Sequence, residues 1–234
     1  MQKNTKQNID NKINNQNATE PMFEPIFKPI FGDSWKDLPL VLKKRYSNRS
    51  YSKDEVVVDG ILEVHVSKWM KFLSPMLRFC GALVPYEGKD IPVTVRFNSH
   101  TNSDVIGFNR HFKFTTRKPY FFRSKLKPAG KDGVIEFMKF GLGWKMRYAF
   151  EDGKAKLLHN GYIWRIFGID IPLPFYWVLG KGYAYEQAVP GKPNEFDMYF
   201  DITHPWFGDV FGYKGRFSVT KSIDISIDKS IKNK

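Results

Sequence analysis

The stretch DVIGFNRHFKFTTRKPYFFRSKL, residues 104–126, decides the fold that we expect for this chain. Apolar and polar side chains alternate along its first half, which places Phe108 and Phe112 on one face of an extended strand. Arg110 falls on that same apolar face. The second half alternates again and places Ser124 on its apolar face. The stretch therefore predicts an antiparallel hairpin whose apolar side carries a cation and a hydroxyl.

The rest of the chain predicts more strands and one long helix. Alternating runs occur at 56–67 and 91–97, and further runs follow from 134 to 220. Residues 69–84 instead carry apolar side chains at helical spacing. This order of strand, helix and about nine further strands resembles that of fatty-acid-binding proteins and other calycin barrels. We expect an all-β fold with minor helix, in which an antiparallel meander forms a calycin-like barrel or a strongly curved sheet, with one covering helix between the first two strands.

A START-type helix-grip fold is the main alternative. It requires a long helix near the C-terminus, whereas residues 195–203 and 210–220 both alternate as strands. The pattern therefore favours the barrel or the curved sheet.

Composition divides the chain into one domain and two tails. Residues 1–22 are polar, low in complexity and without periodicity, so we expect them to be disordered. Residues 23–220 contain the predicted strands and helix and are numerous enough to bury a core as a single β-rich domain. Residues 221–234 keep an isoleucine alternation, which predicts either an added edge strand or a frayed C-terminal tail.

The chain is strongly basic and has a single cysteine. Lys and Arg outnumber Asp and Glu by 37 to 24, which gives a formal net charge of +13. Such a charge favours anionic partners, although solubility explains it equally well. Cys80, as the one cysteine, excludes a disulfide within the chain and a cysteine-rich zinc site. The N-terminal residues lack the apolar segment of a secretory signal, so we expect a cytoplasmic protein.

Short sequence motifs are spread along the whole predicted domain. They are FGDSWKDLP at 31–39, GKDIPVTVRF at 88–97, GFNRHF at 107–112, FRSKL at 122–126, IEFMKFGLGW at 135–144, FGIDIPLP at 167–174, YEQA at 185–188 and HPWFGDVFGYKGRF at 204–217. Their order and spacing resemble an uncharacterised bacterial family, the domain of unknown function 4166, over residues 27–220. Phe108 stands where that family often has Trp. The resemblance implies a domain of this kind, and it implies no activity, cofactor or catalytic residue.

Polar side chains that alternation places on apolar faces are the candidate functional residues. A buried guanidinium without a partner costs several kcal/mol, so Arg110 requires a carboxylate, aromatic stacking or a bound anion. One interpretation is an internal ion pair with Glu136 or Glu186 that fixes strand register. The other is a pocket in which Arg110 binds a carboxylate or phosphate head group. The candidate ligand-binding residues are Phe108, Arg110, Phe112, Ser124, Glu136, Glu186, His204 and Tyr213.

The sequence contains few residues or motifs that indicate an enzyme. An enzyme would use Glu136 and Glu186 as acid and base, with His204 as a third group. The chain has no GxSxG elbow, and Gly141-Leu142-Gly143 lacks the third glycine of a dinucleotide fingerprint. The histidines show no short metal-ligand spacing, so we expect no metal and no cofactor. The expected function is therefore a non-enzymatic binding module for an anionic amphipathic, lipid-like ligand.

A basic run between residues 105 and 131 indicates a second kind of partner. Eight Lys and Arg residues lie there without an acidic residue, and the aromatic residues among them imitate a platform for single-stranded nucleic acid. Because most of these aromatics are predicted to face inward, nucleic acid is the less favoured partner. Peripheral contact with an anionic membrane fits the same charges, and Pro174-Phe175-Tyr176-Trp177 adds apolar side chains to such a surface.

Overall fold

Residues 24–223, which the computed structural model of the chain describes, form an antiparallel sheet of eleven strands. The strands are β1 (Glu55–Val66), β2 (Gly88–His100), β3 (Ser103–Phe112), β4 (Tyr120–Ala129), β5 (Gly133–Phe137), β6 (Leu142–Glu151), β7 (Lys154–Ile166), β8 (Ile169–Leu173), β9 (Lys181–Ala188), β10 (Glu195–His204) and β11 (Gly208–Lys221). β3 and β4 are the hairpin that residues 104–126 predict. The predictions for residues 1–22 and for those beyond 223 lie outside the described part of the chain.

Ten of these strands close into a barrel. From β1 to β7 each strand pairs with the next along the chain, and β7 then continues through β9, β10 and β11 back to β1. β8 lies outside this ring and pairs with the end of β7 at 162–166. The predicted all-β meander is confirmed, and it forms the barrel rather than the open curved sheet.

Alternation within the strands determines which side chains fill the barrel. In β2, Val93, Val95 and Phe97 are buried, whereas Arg96 between two of them is exposed. β10 repeats the pattern and buries Phe200. Because successive side chains of a strand point to opposite faces, a closed sheet directs every second residue into one shared core.

Helical segments close the two ends of the barrel. They are α1 (Phe27–Phe31), a 3₁₀ turn (Gly32–Asp37), α2 (Leu40–Arg45), α3 (Lys68–Phe79), a second 3₁₀ turn (Lys139–Gly141) and α4 (Tyr176–Leu179). α3 joins β1 to β2 and covers one end, as predicted, and Ser67 caps its first turn by accepting from the backbone N–H of Met70. It ends at Phe79 rather than at 84, because Gly81 adopts a φ of +63°.

Among residues 24–223, no helix has the length and apolar character needed to cross a membrane.

Aromatic side chains of the N-terminal segment fill the end of the barrel opposite α3. The ring centroids of Phe27 and Phe31 lie 5.3 and 5.8 Å from that of Tyr148 in β6, and the ring of Tyr46 lies 4.8 Å from that of Phe27. All four side chains are buried. This end is therefore filled, and the open space of the interior lies towards α3.

The seam between β6 and β7 contains a half-buried histidine. The register shifts between Trp144 and Met146, close to Gly161, whose φ is +105°. There Nε1 of Trp144 donates to Nδ1 of His159 across 2.8 Å. Burial, with a smaller contribution from Lys181, lowers the pKa of His159 from 6.5 to about 4.

We predict that His159 makes the barrel less stable in mild acid. The unfolded chain protonates this imidazole near its ordinary pKa, whereas the folded chain does so near pH 4. The contribution of this group to stability is therefore complete above about pH 6.5 and is lost as the pH falls towards 4. His159→Gln keeps an acceptor for Trp144 but removes the titrating group. Urea denaturation should show a smaller drop in the free energy of unfolding between about pH 7 and about pH 4.5 for this variant than for the wild type.

His65→Gln, at an exposed position of β1, is the matched control and keeps the wild-type response to acid. A drop in His159→Gln as large as that of the wild type would contradict this role for His159.

Candidate ligand-binding cavity

Arg110 lies inside the barrel, on the apolar face of β3. Only 6% of the residue is exposed. Its guanidinium carbon lies 3.7 Å from the ring centroid of Phe108 and 3.5 Å from that of Phe122. Stacking between two aromatic faces stabilises a cation that has left water, but it does not neutralise the charge. A negative partner is therefore still required.

Glu136 of β5 supplies that partner. Nη2 of Arg110 lies 2.5 Å from Oε1 of Glu136, and the hydroxyl of Ser124 in β4 lies 2.6 Å from each of these two atoms. The hydroxyl accepts from the guanidinium and donates to the carboxylate. The three side chains come from three successive strands, so their network favours one register of β3, β4 and β5. The internal ion pair, one of the two interpretations of the sequence, is therefore present.

A second ion pair lies on the side of the N-terminal segment. Nη2 of Arg45 in α2 is 3.3 Å from Oε1 of Glu186 in β9, and the guanidinium carbon of Arg45 lies 3.6 Å from the ring centroid of Phe97. Alternation predicts the inward position of Glu186, but strand periodicity gives no signal for Arg45, which lies on a helix. Its helical spacing from the buried Val41 and Leu42 is the signal that could have found it.

The two ion pairs leave hydrogen-bonding capacity unused. Nη1 of Arg45, Oε2 of Glu186, Nε of Arg110 and the hydroxyl of Tyr46 are buried and have no hydrogen-bond partner among residues 24–223. Buried polar groups in proteins are normally paired. Of these four residues, Arg110 lines the larger cavity of the barrel, so its Nε is the group that a bound molecule there can satisfy.

A cavity of about 130 Å³ lies between the Arg110–Glu136 pair and α3. Arg110, Glu136 and Tyr213 line one part of it, and Met76 and Leu77 of α3 line another. Most of the remaining lining is apolar, and it includes Phe112, Phe122, Leu142, Trp144, Ile163, Phe200 and Phe211. An apolar enclosure with a few convergent polar groups is typical of small-molecule sites.

Tyr213 of β11 brings a hydroxyl to the polar part of the cavity. Burial raises its pKa to about 12; the Arg110 guanidinium opposes this shift, and the carboxylates of Glu136 and Glu186 add to it. The phenol therefore stays protonated at neutral pH. It can donate a hydrogen bond to a ligand oxygen, and it is not set up as a base.

His204 lies at the end of β10 and does not line this cavity. Its Nε2 is 3.1 Å from the carbonyl oxygen of Trp177, and its Nδ1 accepts from the backbone N–H of Trp206 across 3.2 Å. Both ring nitrogens therefore contact backbone groups, one in α4 and the other in the turn between β10 and β11. Glu136 lines this cavity whereas Glu186 and His204 do not, so the acid, base and histidine that an enzyme would use do not line one pocket.

The eight predicted ligand-binding residues divide into three groups. The cavity is lined by Arg110, Phe112, Glu136 and Tyr213. Phe108 and Ser124 contact the Arg110 guanidinium. Glu186 pairs with Arg45, and His204 contacts the backbone of α4 at the end of β10. Strand periodicity missed the lining contributed by α3, because no local pattern shows which helix covers which strands.

Three comparisons place the chain among known proteins. A family model described as a domain of unknown function (DUF4166) matches residues 38–217. No curated protein matches the chain. Among solved structures, the dehydratase domain of the polyketide PpsC from Mycobacterium tuberculosis is 6% identical, with 78% of this chain and 81% of that chain covered and a TM-score of 0.19. A likeness of that size carries no argument about fold or function.

We predict that Arg110 and Glu136 are strongly coupled. Arg110→Met or Glu136→Gln alone leaves a buried charge without its partner and lowers the free energy of unfolding by about 3–5 kcal/mol. The double variant removes both charges and loses less than the sum of the two single losses. Urea denaturation of all four proteins at neutral pH measures this coupling.

The exposed pair Lys71 and Glu87 provides the control, because Lys71→Met and Glu87→Gln remove an ion pair that lies in water. We expect no more than about 0.5 kcal/mol of coupling there. Additive losses at Arg110 and Glu136 would refute the buried pair.

Proposed function

The chain belongs to the family of the domain of unknown function 4166, and because that family assigns no reaction, we propose its function from the interior of the barrel. The protein is a non-enzymatic binding module that holds an amphipathic, lipid-like molecule beneath α3. The observation that carries this proposal is the apolar cavity into which Arg110, Glu136 and Tyr213 project.

The polar part of the cavity favours an uncharged head group. The anionic head group expected from the sequence requires Arg110 to offer a net positive charge to the ligand. Glu136 already matches that charge, and its carboxylate would repel a second carboxylate placed beside it. A hydroxyl, carbonyl, ester or amide oxygen can accept from Arg110 and Tyr213 without this repulsion. We therefore assign the ligand an uncharged polar end.

The volume of the cavity limits the apolar part of the ligand. An apolar cavity of roughly 150 Å³ accepts a molecule the size of benzene. The cavity of about 130 Å³ therefore holds one ring or a short chain while α3 stays in place. A longer tail can leave past Met76, which lines the cavity and is also 45% exposed.

We expect the protein to bind benzyl alcohol, a single ring with an uncharged hydroxyl that suits the size of the cavity. Benzoate, which has the same ring, binds roughly tenfold less well at neutral pH because its carboxylate meets Glu136. Ala82→Phe adds a ring at a position that lines the cavity and removes the binding of benzyl alcohol. Isothermal titration calorimetry of purified protein measures each of these effects.

Ala149→Phe is the matched control, since Ala149 alternates with the buried Tyr148 on β6 and faces outward. It keeps wild-type binding. Absence of benzyl alcohol binding in the wild type, or wild-type binding by Ala82→Phe, would overturn the cavity proposal. Benzoate binding as strong as that of benzyl alcohol would restore an anionic head group.

A further inference from the structure

The outer surface at the α3 end of the barrel carries large apolar side chains from several elements. We call it the apolar rim, and its main members are Phe72 and Phe79 of α3, Phe140, Phe167, Trp177 and Trp206. Phe72 is 74% exposed, and Phe167, at the tip between β7 and β8, is 100% exposed. Soluble proteins rarely expose a large contiguous apolar patch without a partner for it.

Ring contacts join four of these side chains in two pairs. The rings of Phe79 and Phe140 lie 5.0 Å apart, and those of Trp177 and Trp206 lie 5.5 Å apart, measured between centroids. Nε1 of Trp69 in α3 donates to the carbonyl of Val178 in α4 across 3.1 Å. α3, α4 and the β10–β11 turn therefore present their apolar side chains together.

Basic side chains outnumber acidic ones around the apolar rim. α3 contains Lys68, Lys71 and Arg78 and no acidic residue, and Lys139 adjoins Phe140. The loop from β3 to β4, at the same end, adds the exposed Lys113, Arg117 and Lys118 and no acidic residue. Of the acidic groups near this end, Glu87 pairs with Lys71, Asp170 pairs with Arg165, and Glu63 lies near Lys89 and Lys214. Asp201 and Asp209, beside the β10–β11 turn, accept from the hydroxyl of Thr203.

We propose that the apolar rim docks onto the surface of an anionic lipid bilayer. Aromatic side chains insert favourably at the boundary between head groups and acyl chains. Lys and Arg beside them are attracted to anionic head groups. A second copy of this chain is the less suitable occupant, because the same positive charges would face one another across the contact.

Docking of this kind gives α3 two roles. Its inner side covers the cavity, whereas Phe72 and Phe79 belong to the apolar rim. The bilayer would therefore lie against the route by which the cavity is reached. The proposal stands apart from the cavity proposal, because vesicle binding requires no occupant in the barrel.

Co-sedimentation of the full chain with vesicles tests this proposal. We expect binding to phosphatidylcholine vesicles that contain about one-third phosphatidylglycerol, weak binding to pure phosphatidylcholine, and a decrease as salt is raised. Phe167→Ser/Trp206→Ser removes two exposed side chains that do not support the core, and it weakens binding by about tenfold or more. Tyr51→Ser/Ile61→Ser, which removes two exposed apolar side chains elsewhere, binds as the wild type does.

Failure of the wild type to sediment with either vesicle would overturn the proposal. So would equal binding by the wild type and Phe167→Ser/Trp206→Ser. A dimer in sedimentation velocity that this variant dissociates would instead assign the apolar rim to a second copy of the chain.

Discussion

A guanidinium held between Phe108 and Phe122 inside a closed barrel imposes one condition on its surroundings. The cation has lost its water, and the free energy of that loss is recovered only if a carboxylate lies within hydrogen-bonding distance. Glu136 meets the condition from two strands away, through β4 and the hydroxyl of Ser124. A slip of one residue in either pairing would turn one of these groups to the outside, so the charge and the register of the hairpin depend on each other.

The need of each buried guanidinium for a carboxylate also limits what the interior can bind. Arg45 and Glu186 form a second ion pair on the side of the N-terminal segment, so each of these two buried arginines has its own carboxylate. The two ion pairs together carry no net charge but can still form hydrogen bonds. Tyr213 adds a protonated hydroxyl to these groups. α3 covers the apolar part of the cavity. One side of this helix lines the cavity, and the other side contributes to the apolar rim. These features are the basis of the proposal that the barrel binds an uncharged amphipathic molecule.

Features with a local period could be predicted from the sequence. Alternation in FNRHF placed Arg110 inward, and the same pattern predicted the strands, because one closed sheet buries every second side chain. Features that join distant segments could not. The pairing of Glu186 with Arg45 spans a strand and a helix far apart in sequence, and the cavity depends on where α3 rests. Helical spacing also assigned Phe72 to an apolar face, but it could not show that this side chain lies at the surface of the covering helix.

The state of the Arg110 guanidinium in solution tests the central claim most directly. Arginine-selective NMR at neutral pH, with assignment by Arg110→Met, reports whether its N–H groups are held or exchange with water. The ion pair predicts resolved guanidinium resonances that exchange slowly and that shift in Glu136→Gln, beside the fast-exchanging signal of the exposed Arg117. An Arg110 signal that exchanges as fast as that of Arg117 and does not respond to Glu136→Gln would contradict the buried pair and the cavity built on it.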